Sequence, residues 1–497
     1  MATRQLSIFT TTFNLNGSLP SLADVRLWLQ GQPGQDAAAA RDEGEHHQGS
    51  SNCSASDADL VVICLQECPT AATAVISASR NNGAEIGPII FLAGISDPTN
   101  NFDDEDAAFL GNIRGVLSEE HDLVADLSMG AKSNHADAHV ESGDVKWYGY
   151  VRLLMFARNS ELVTELRQGS VGVAVAVGTK PMSRKNQIRS NHMLSDRTRY
   201  HALGSPDKGA VCLMMPAMKL MVVCAHLAGT NKYGVPERTF DRIRHEQLRI
   251  ISGTLEESIR NVGDGNETID AWEKIVSGDL NFRVEVYNEA EHKCRGGDDW
   301  MAVADVLQGG GKGEFDFKRQ DVVELFRGHD RLVQYLENGA LHLIADPDAE
   351  ITGDYDTLPK LLGSMVDLVH FKCFSGADTC SGRGLSTIMP TFSLQIESDD
   401  VIAGDDNNDE VSRIVSRRLY SNKRTPSWPD RILMSRKLVE NETRSSIVAV
   451  GSCPDVGFSD HCPVWSFTGC SHDVAQKSAP ALAPRTFVDK KNSSQGM

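Results

Sequence analysis

A layered α/β fold is what this 497-residue sequence predicts, and three observations predict it. Short apolar runs rich in Val, Ile, Leu and Met recur along the chain, each too short for a helix. The runs are almost continuously apolar, so both of their faces are buried and helices or a second sheet must cover them. One amphipathic helical stretch stands among the strands, which is the mixture of a layered α/β domain.

The strand-like runs fall at 60–65, 148–157, 171–177, 211–215, 220–224, 275–276 and 431–434. The helix opens at Pro236-Glu237, with proline in its favoured first-turn position, and carries Phe240, Ile243, Leu248, Ile251 and Leu255 roughly on one face. Residues 31–57, 96–142, 261–270 and 397–410 mix Gly, Ser, Asn, Asp and Ala with little periodicity and are expected as loop insertions. The expected organisation is one catalytic domain over 1–468 and a polar, disordered tail over 469–497, with no internal repeat and no accessory domain.

Composition narrows the class. Hydrophobic residues at 40% and charged residues at 24% suit a globular chain with a sizeable core. A net charge of −19 disfavours non-specific binding to nucleic acid or anionic lipid, so no nucleic-acid partner is expected. It does not disfavour a small phosphate substrate, because screening at physiological salt cuts off charges beyond roughly 8 Å and a local basic cluster can dominate a cleft. The 11 cysteines show no CxxC pair or zinc-like spacing, and Cys64, Cys212 and Cys224 sit in apolar runs, as reduced core residues of a cytoplasmic protein would. No run of about 18 apolar residues and no prenylation motif occurs, so membrane contact is expected to be peripheral or through a partner.

Polar residues recur at the ends of the apolar runs, where an α/β sheet exposes its active site. Asn14 and Asn16 close an N-terminal strand, Gln66-Glu67 and Ala225-His226 end two others, and Gly278-Asp279-Leu280-Asn281-Phe282-Arg283 follows a further one. Pro426-Ser427-Trp428-Pro429-Asp430-Arg431 and Ser459-Asp460-His461-Cys462-Pro463 precede the last two. Each string alone has a plain reading: turn amides, a loop carboxylate, a core histidine, a surface ion pair. Their joint occurrence in this order is what outweighs those readings.

That order resembles the endonuclease/exonuclease/phosphatase superfamily and, within it, the inositol polyphosphate 5-phosphatases, over about residues 6–467. The 278–283 block and the 426–433 block together carry the resemblance to the phosphatases, since the superfamily's nucleases share the first but not the second. Asp207-Lys208-Gly209, Asp330-Arg331-Leu332 and Pro390-Thr391-Phe392 are similar to further family strings, with Asp at 207 for the usual Asn and no Lys after Phe392. The resemblance implies a four-layer α/β sandwich of two face-packed mixed β-sheets flanked by helices (DNase I-like). It also implies Mg²⁺-dependent hydrolysis of the 5-phosphate of a phosphoinositide or a soluble inositol phosphate.

Residue by residue, the resemblance implies Glu67, Asn16 and Asp460 at the metal, Asp279 as proton acceptor or aligner of the attacking water, and Asn281, Asn14 and His226 as donors to water or phosphate. His461 would contact the scissile phosphate with Asp430 fixing its other ring nitrogen. Lys208 and Arg431 would add phosphate contacts, and Tyr420, Lys423 and Arg424 would read the 4-phosphate. Mg²⁺ suits such a site because it prefers oxygen ligands and is held by one or two carboxylates beside water and phosphate. Competing readings are a superfamily nuclease or sphingomyelinase-type phosphodiesterase, which the Pro-x-Trp-x-Asp-Arg string disfavours, and a catalytically silent scaffold. No cysteine has an arginine six residues later, and neither a P-loop nor an HExxH string occurs, so metal-assisted attack by water is the chemistry that remains.

Overall fold

The structure is a computed structural model that describes residues 3–30, 54–70, 75–76, 93–94, 104–129, 149–177, 208–229, 237–262, 265–288, 293–296, 320–339, 357–370, 388, 390–392, 394, 425–439, 447–453 and 456–473. Its strands form two seven-stranded mixed sheets. In spatial order the first holds β15 (Ile447–Ser452), β16 (Val464–Asp473), β1 (Thr3–Asn14), β2 (Leu60–Cys68), β6 (Tyr150–Ala157), β5 (Asp122–Met129) and β3 (Val75–Ile76). The second holds β13 (Met365–Asp367), β14 (Asp430–Ser435), β10 (Glu273–Asp279), β9 (Leu220–His226), β8 (Gly209–Met215), β7 (Val171–Ala176) and β4 (Ala93–Gly94). A separate two-stranded ribbon pairs β11 (Glu285–Asn288) with β12 (Lys293–Gly296).

Side-chain alternation along the strands sorts the core into layers. Leu60, Val62 and Cys64 of β2 pack between the sheets with Val222 and Cys224 of β9 and Ile432 and Met434 of β14. The alternate residues Val61, Ile63 and Leu65 face α1 (Leu22–Leu29) and α2 (Asp104–Val116). Met221, Val223 and Ala225 face α4 (Glu237–Val262), which presents Leu248, Ile251, Leu255 and Ile259, and Leu332 and Tyr335 of α6 (Arg331–Asn338). Helix α3 (Ser160–Gly169), capped by Asn159, lies on β5 and β6, while α5 (Gln320–Arg327) and the short α7 (Arg436–Val439) complete the helices. This is the four-layer sandwich expected from the sequence, and the long helix begins within a residue of Pro236. No helix among the described residues is long and apolar enough to cross a membrane.

Several expected boundaries change. The segment 96–142, expected as a loop insertion, contains α2 and the buried strand β5. Phe109, Leu110 and Ile113 give α2 a buried stripe, and β5 alternates too little to stand out. Residues 55–57 form a 3₁₀ turn closed by a Ser54/Asp57 capping box. Of 261–270, the first two residues end α4 and Ile269 is buried. The expected tail is ordered in its first residues, because β16 pairs with β1 out to Thr3↔Asp473. Residues 397–410 lie outside the described residues.

Candidate active site

The site lies between the two sheets, at the C-terminal ends of β1, β2, β9 and β10, where β14 and β16 begin. β1 runs parallel to β2, and β9 parallel to β10, so four strand ends open on the same side. The register sets His226 opposite Asp279 and Asp279 opposite Asp430, placing an imidazole and two carboxylates in one row across β9, β10 and β14. Residues paired this way share a face of the sheet. Counting by twos from Cys224 and Ile432, which pack between the sheets, shows that this is the inner face.

The first sheet closes the row. Asn14 at the end of β1 donates through Nδ2 to Asp279 Oδ2 at 3.0 Å, and its Oδ1 accepts from the backbone of Asn16 at 3.0 Å. Regular alternation would send the Glu67 side chain towards the helices. A register shift between Leu65 and Cys68 interrupts the β2 and β6 pairing, Glu67 takes φ +49°, and its carboxylate comes to 3.7 Å from His226 Nε2. The same nitrogen is 3.5 Å from Asp279 Oδ2. Gly149 makes room, since a Cβ there would stand 2.3 Å from Glu67 Cα. Asn16 and Asn281 also hold left-handed backbone, at φ +49° and +57°. Non-glycine residues adopt that region at a cost of about 1–3 kcal/mol and tend to do so at functional sites.

His461 is buried, with Nδ1 and Asp430 Oδ2 2.8 Å apart, and Thr391 donates its hydroxyl to the same oxygen at 2.9 Å. Ser459 donates to Asn14 O at 2.7 Å and accepts from the His461 amide at 3.1 Å, tying the β16 turn to β1. The Phe392 and His461 ring centroids lie 4.5 Å apart, and the Arg283 guanidinium lies 4.3 Å from the Phe392 centroid. Asp460 is partly exposed and lies 4.0 Å from His461 Nε2. Lys208 Nζ lies against the His226 ring, 3.2 Å from Nδ1.

Electrostatics separate the two carboxylates. Burial alone would raise the Asp279 carboxyl, but the charges of His461, His226 and Lys208 and the Asn14 hydrogen bond hold it below the ordinary carboxylate range. Asp430 goes the other way: burial pushes it up, with Asp279 adding to the push and His461 and Thr391 only partly opposing it. For His461, burial disfavours the charged ring, yet the charge and hydrogen bond of Asp430, with Asp460 and Asp279, raise it to about 9. Titratable neighbours pushed apart in this way are the pattern of acid and base assignments.

Not every expected residue belongs to this constellation. Arg431 follows Asp430 on a strand, so it points to the opposite face, where it is fully buried and ion-paired with Asp330 and, at 2.6 Å, with Asp367. It holds the second sheet to the α6 end of the helical layer and is no phosphate contact. Asn281 donates from Nδ2 to Leu227 O at 3.0 Å, accepts from Arg283 at 3.1 Å, and donates its amide N–H to Asp279 Oδ1 at 3.0 Å. Its side chain is engaged by Leu227 O and Arg283 where a donor to water or phosphate was expected, and it is the backbone N–H that orients Asp279. Tyr420, Lys423 and Arg424 lie outside the described residues. Thr391, Phe392, Ser459 and Gly149 enter the site without having been singled out as site residues, although the first three stand in the quoted strings.

Glu67 beside His226 and Asp460 beside His461 are partly exposed carboxylates, oxygen donors of the kind that suits a hard divalent cation. Among the described residues no three His, Cys, Asp or Glu side chains form a ready-made metal cage. Mg²⁺ needs none, because it is held by one or two carboxylates and completes its shell with water and phosphate.

No protein-family model and no curated protein matches the chain. Among solved structures it is similar to the inositol polyphosphate 5-phosphatase domain of SPsynaptojanin in complex with inositol (1,4)-bisphosphate and calcium ion, at 15% identity over 95% of this chain and 86% of that one, TM-score 0.44. It is also similar to the Cimex nitrophorin ferrous NO complex, at 11% identity over 94% and 98%, TM-score 0.40. The AP endonuclease LMAP from Leishmania major follows at 12% identity over 93% and 87%, TM-score 0.34. Each TM-score lies below 0.5, so the functional reading rests on the chain's own residues.

Proposed function

We propose that this chain is a divalent-metal-dependent phosphoric ester hydrolase, and more finely an inositol polyphosphate 5-phosphatase acting on phosphatidylinositol 4,5-bisphosphate, the 3,4,5-trisphosphate or a soluble inositol phosphate. The observation that carries the reading is the convergence of Asp279 bonded to Asn14 and His461 bonded to Asp430, each pair bridging the two sheets, beside the Glu67 carboxylate. Hydrolysis of a phosphomonoester needs an aligned water, compensation of charge on the phosphoryl oxygens and a fixed geometry. Asp279, ionised and held by Asn14 and the Asn281 amide, accepts a proton from the attacking water or aligns it. His461, charged and fixed through Nδ1 by Asp430, presents Nε2 as donor to a phosphoryl oxygen. Lys208 and His226 add positive charge and a donor on the opposite side. Mg²⁺ in this reading is held by Glu67, with Asn16 and Asp460 in support, and supplies further charge compensation.

The net charge of −19 favours a small phosphate ester over a polynucleotide. The same reading expects a cytoplasmic protein that meets lipid substrates peripherally. The test is phosphate release from a panel of inositol lipids and soluble inositol phosphates, with and without Mg²⁺, comparing wild type with Asp279→Asn. Magnesium-dependent release from 5-phosphorylated substrates, lost in the variant, is expected. Cleavage of plasmid DNA or sphingomyelin with no release from the panel would replace the reading by a phosphodiesterase.

A further inference from the structure

Among the described residues, the most heavily bonded charged group outside the site is Arg152, on the face of β6 that meets α2, and it is fully buried. A guanidinium has five N–H donors, and all five are used. Nε and Nη2 donate to the two Asp126 oxygens at 2.9 and 2.7 Å, and Nη1 and Nη2 to the two Asp106 oxygens at 2.5 and 3.2 Å. The remaining Nη1 hydrogen goes to Thr70 Oγ1 at 2.8 Å. One side chain thus joins β5, the first turn of α2 and the segment that leaves β2.

Stability does not account for this arrangement. Burying two carboxylates on one guanidinium is costly, with burial pushing the Asp126 carboxyl up, and apolar residues of the same volume often hold a fold as well or better. What the network touches supplies another reason. Glu67 occupies an interrupted stretch of β2 with left-handed backbone, a conformation that persists only when its surroundings impose it. On one side it is pinned by Leu15 N–H to Gln66 O at 2.9 Å, by Gly17 N–H to Glu67 O at 3.0 Å and by the close approach of Gly149. On the other side Cys68 Sγ contacts Thr70 Oγ1 at 3.6 Å, and Thr70 is fixed by Arg152.

We infer that Arg152, acting through Thr70, is a positioning residue for the Glu67 carboxylate and thereby sets the chain's affinity for its divalent cation. The inference rests on Glu67 being a ligand of that cation. Arginine is required because the ammonium of lysine has three donors and cannot bind two carboxylates bidentately. Partners one step removed from a ligand typically change metal affinity by about 10- to 100-fold, and Thr70 stands two steps away, so about 5- to 10-fold is expected.

Arg152→Met would leave Asp106 and Asp126 facing each other and is expected to unfold the chain, so Thr70→Val carries the test. Mg²⁺ binding to the full chain is measured by calorimetric titration and by the rise in Tm with added Mg²⁺, beside wild type and Glu67→Gln. Expected is weaker binding by Thr70→Val, with the metal-free Tm lowered by no more than the few degrees that one orphaned buried N–H costs, and loss of binding by Glu67→Gln. Unchanged affinity in Thr70→Val while Glu67→Gln loses binding overturns the positioning role and leaves Glu67 as ligand. A lowered metal-free Tm with unchanged affinity overturns it as well, in favour of a structural role. Binding by Glu67→Gln equal to wild type, or none by wild type, removes the ligand reading and this inference with it.

Discussion

Asp430→Asn should move the basic limb of the pH–rate profile towards acid and lower kcat/KM near neutrality by about 100-fold. Asn keeps the size of Asp430 and can still contact the His461 ring and the Thr391 hydroxyl, so the variant removes charge more than shape. In wild type burial disfavours the charged His461 ring, yet Asp430 above all, with Asp460 and Asp279, raises its pKa to about 9 against an ordinary 6.5, and the variant loses the largest of these contributions. At about pH 7.5 a ring with a pKa near 9 is ~97% charged, and one at its ordinary value only ~10% charged, with burial lowering it further. Protonation alone therefore costs about 10-fold, and loss of the charge-assisted orienting bond adds a similar factor. The assay is kcat/KM from about pH 5 to 10, with ring NMR of the histidines as a direct reading of His461. A kcat/KM within about threefold of wild type, or a basic limb that stays in place, would refute the charged-donor role. Stability should carry the same signature. A folded pKa raised above the unfolded one contributes fully below about 6.5 and is lost as pH rises through about 9, so wild type should lose more urea resistance across that window than the variant.

Gly149→Ala forces a Cβ to within 2.3 Å of Glu67 Cα, so the backbone around Glu67 must give way; a loss of about 1–3 kcal/mol in urea unfolding is expected, with a raised Mg²⁺ requirement in activity titrations. Arg431→Met strands the Asp330 and Asp367 carboxylates in the core and should cost about 3–5 kcal/mol of stability while leaving the ranking of substrates unchanged in the folded fraction. Asn14→Asp sets a second carboxylate against Asp279, so the pKa of Asp279 rises and the acid limb of kcat/KM should move up by about one pH unit or more.

Sequence reading reached the strands that alternate or run apolar between turn residues, and the ends of those strands gave the site. The row of His226, Asp279 and Asp430 was legible as three motifs, but their neighbouring places depend on register, which tertiary pairing decides. Arg431 was misplaced although period-two alternation contained the answer: with Asp430 turned inward, the next residue on a strand turns outward. Asn281 lies beyond the end of β10 and itself takes left-handed backbone, so strand alternation does not reach its side chain. Strand β5 and helix α2 were hidden by the polar stretches beside them, and β16 beyond residue 468 by a polar sequence whose order comes from β1, more than 450 positions away in the chain.

Strand β16 also sets a timetable. Its residues 464–473 fill the place beside β1, and the turn before it seats His461 between Asp430 and Asn14. A ribosome adding about 5–20 residues per second needs roughly half a minute or more to travel from Thr3 to Asp473. Throughout that interval β1 can pair with β2 along one edge while the other stands open, a ready template for a wrong partner. A nascent chain halted before residue 464 would carry His226, Asp279 and Asp430 and still lack the strand that anchors its imidazole donor. On the proposed reading, turnover begins only once the chain has been made through residue 473, and any chaperone that shields the growing chain would have most to protect along the free edge of β1.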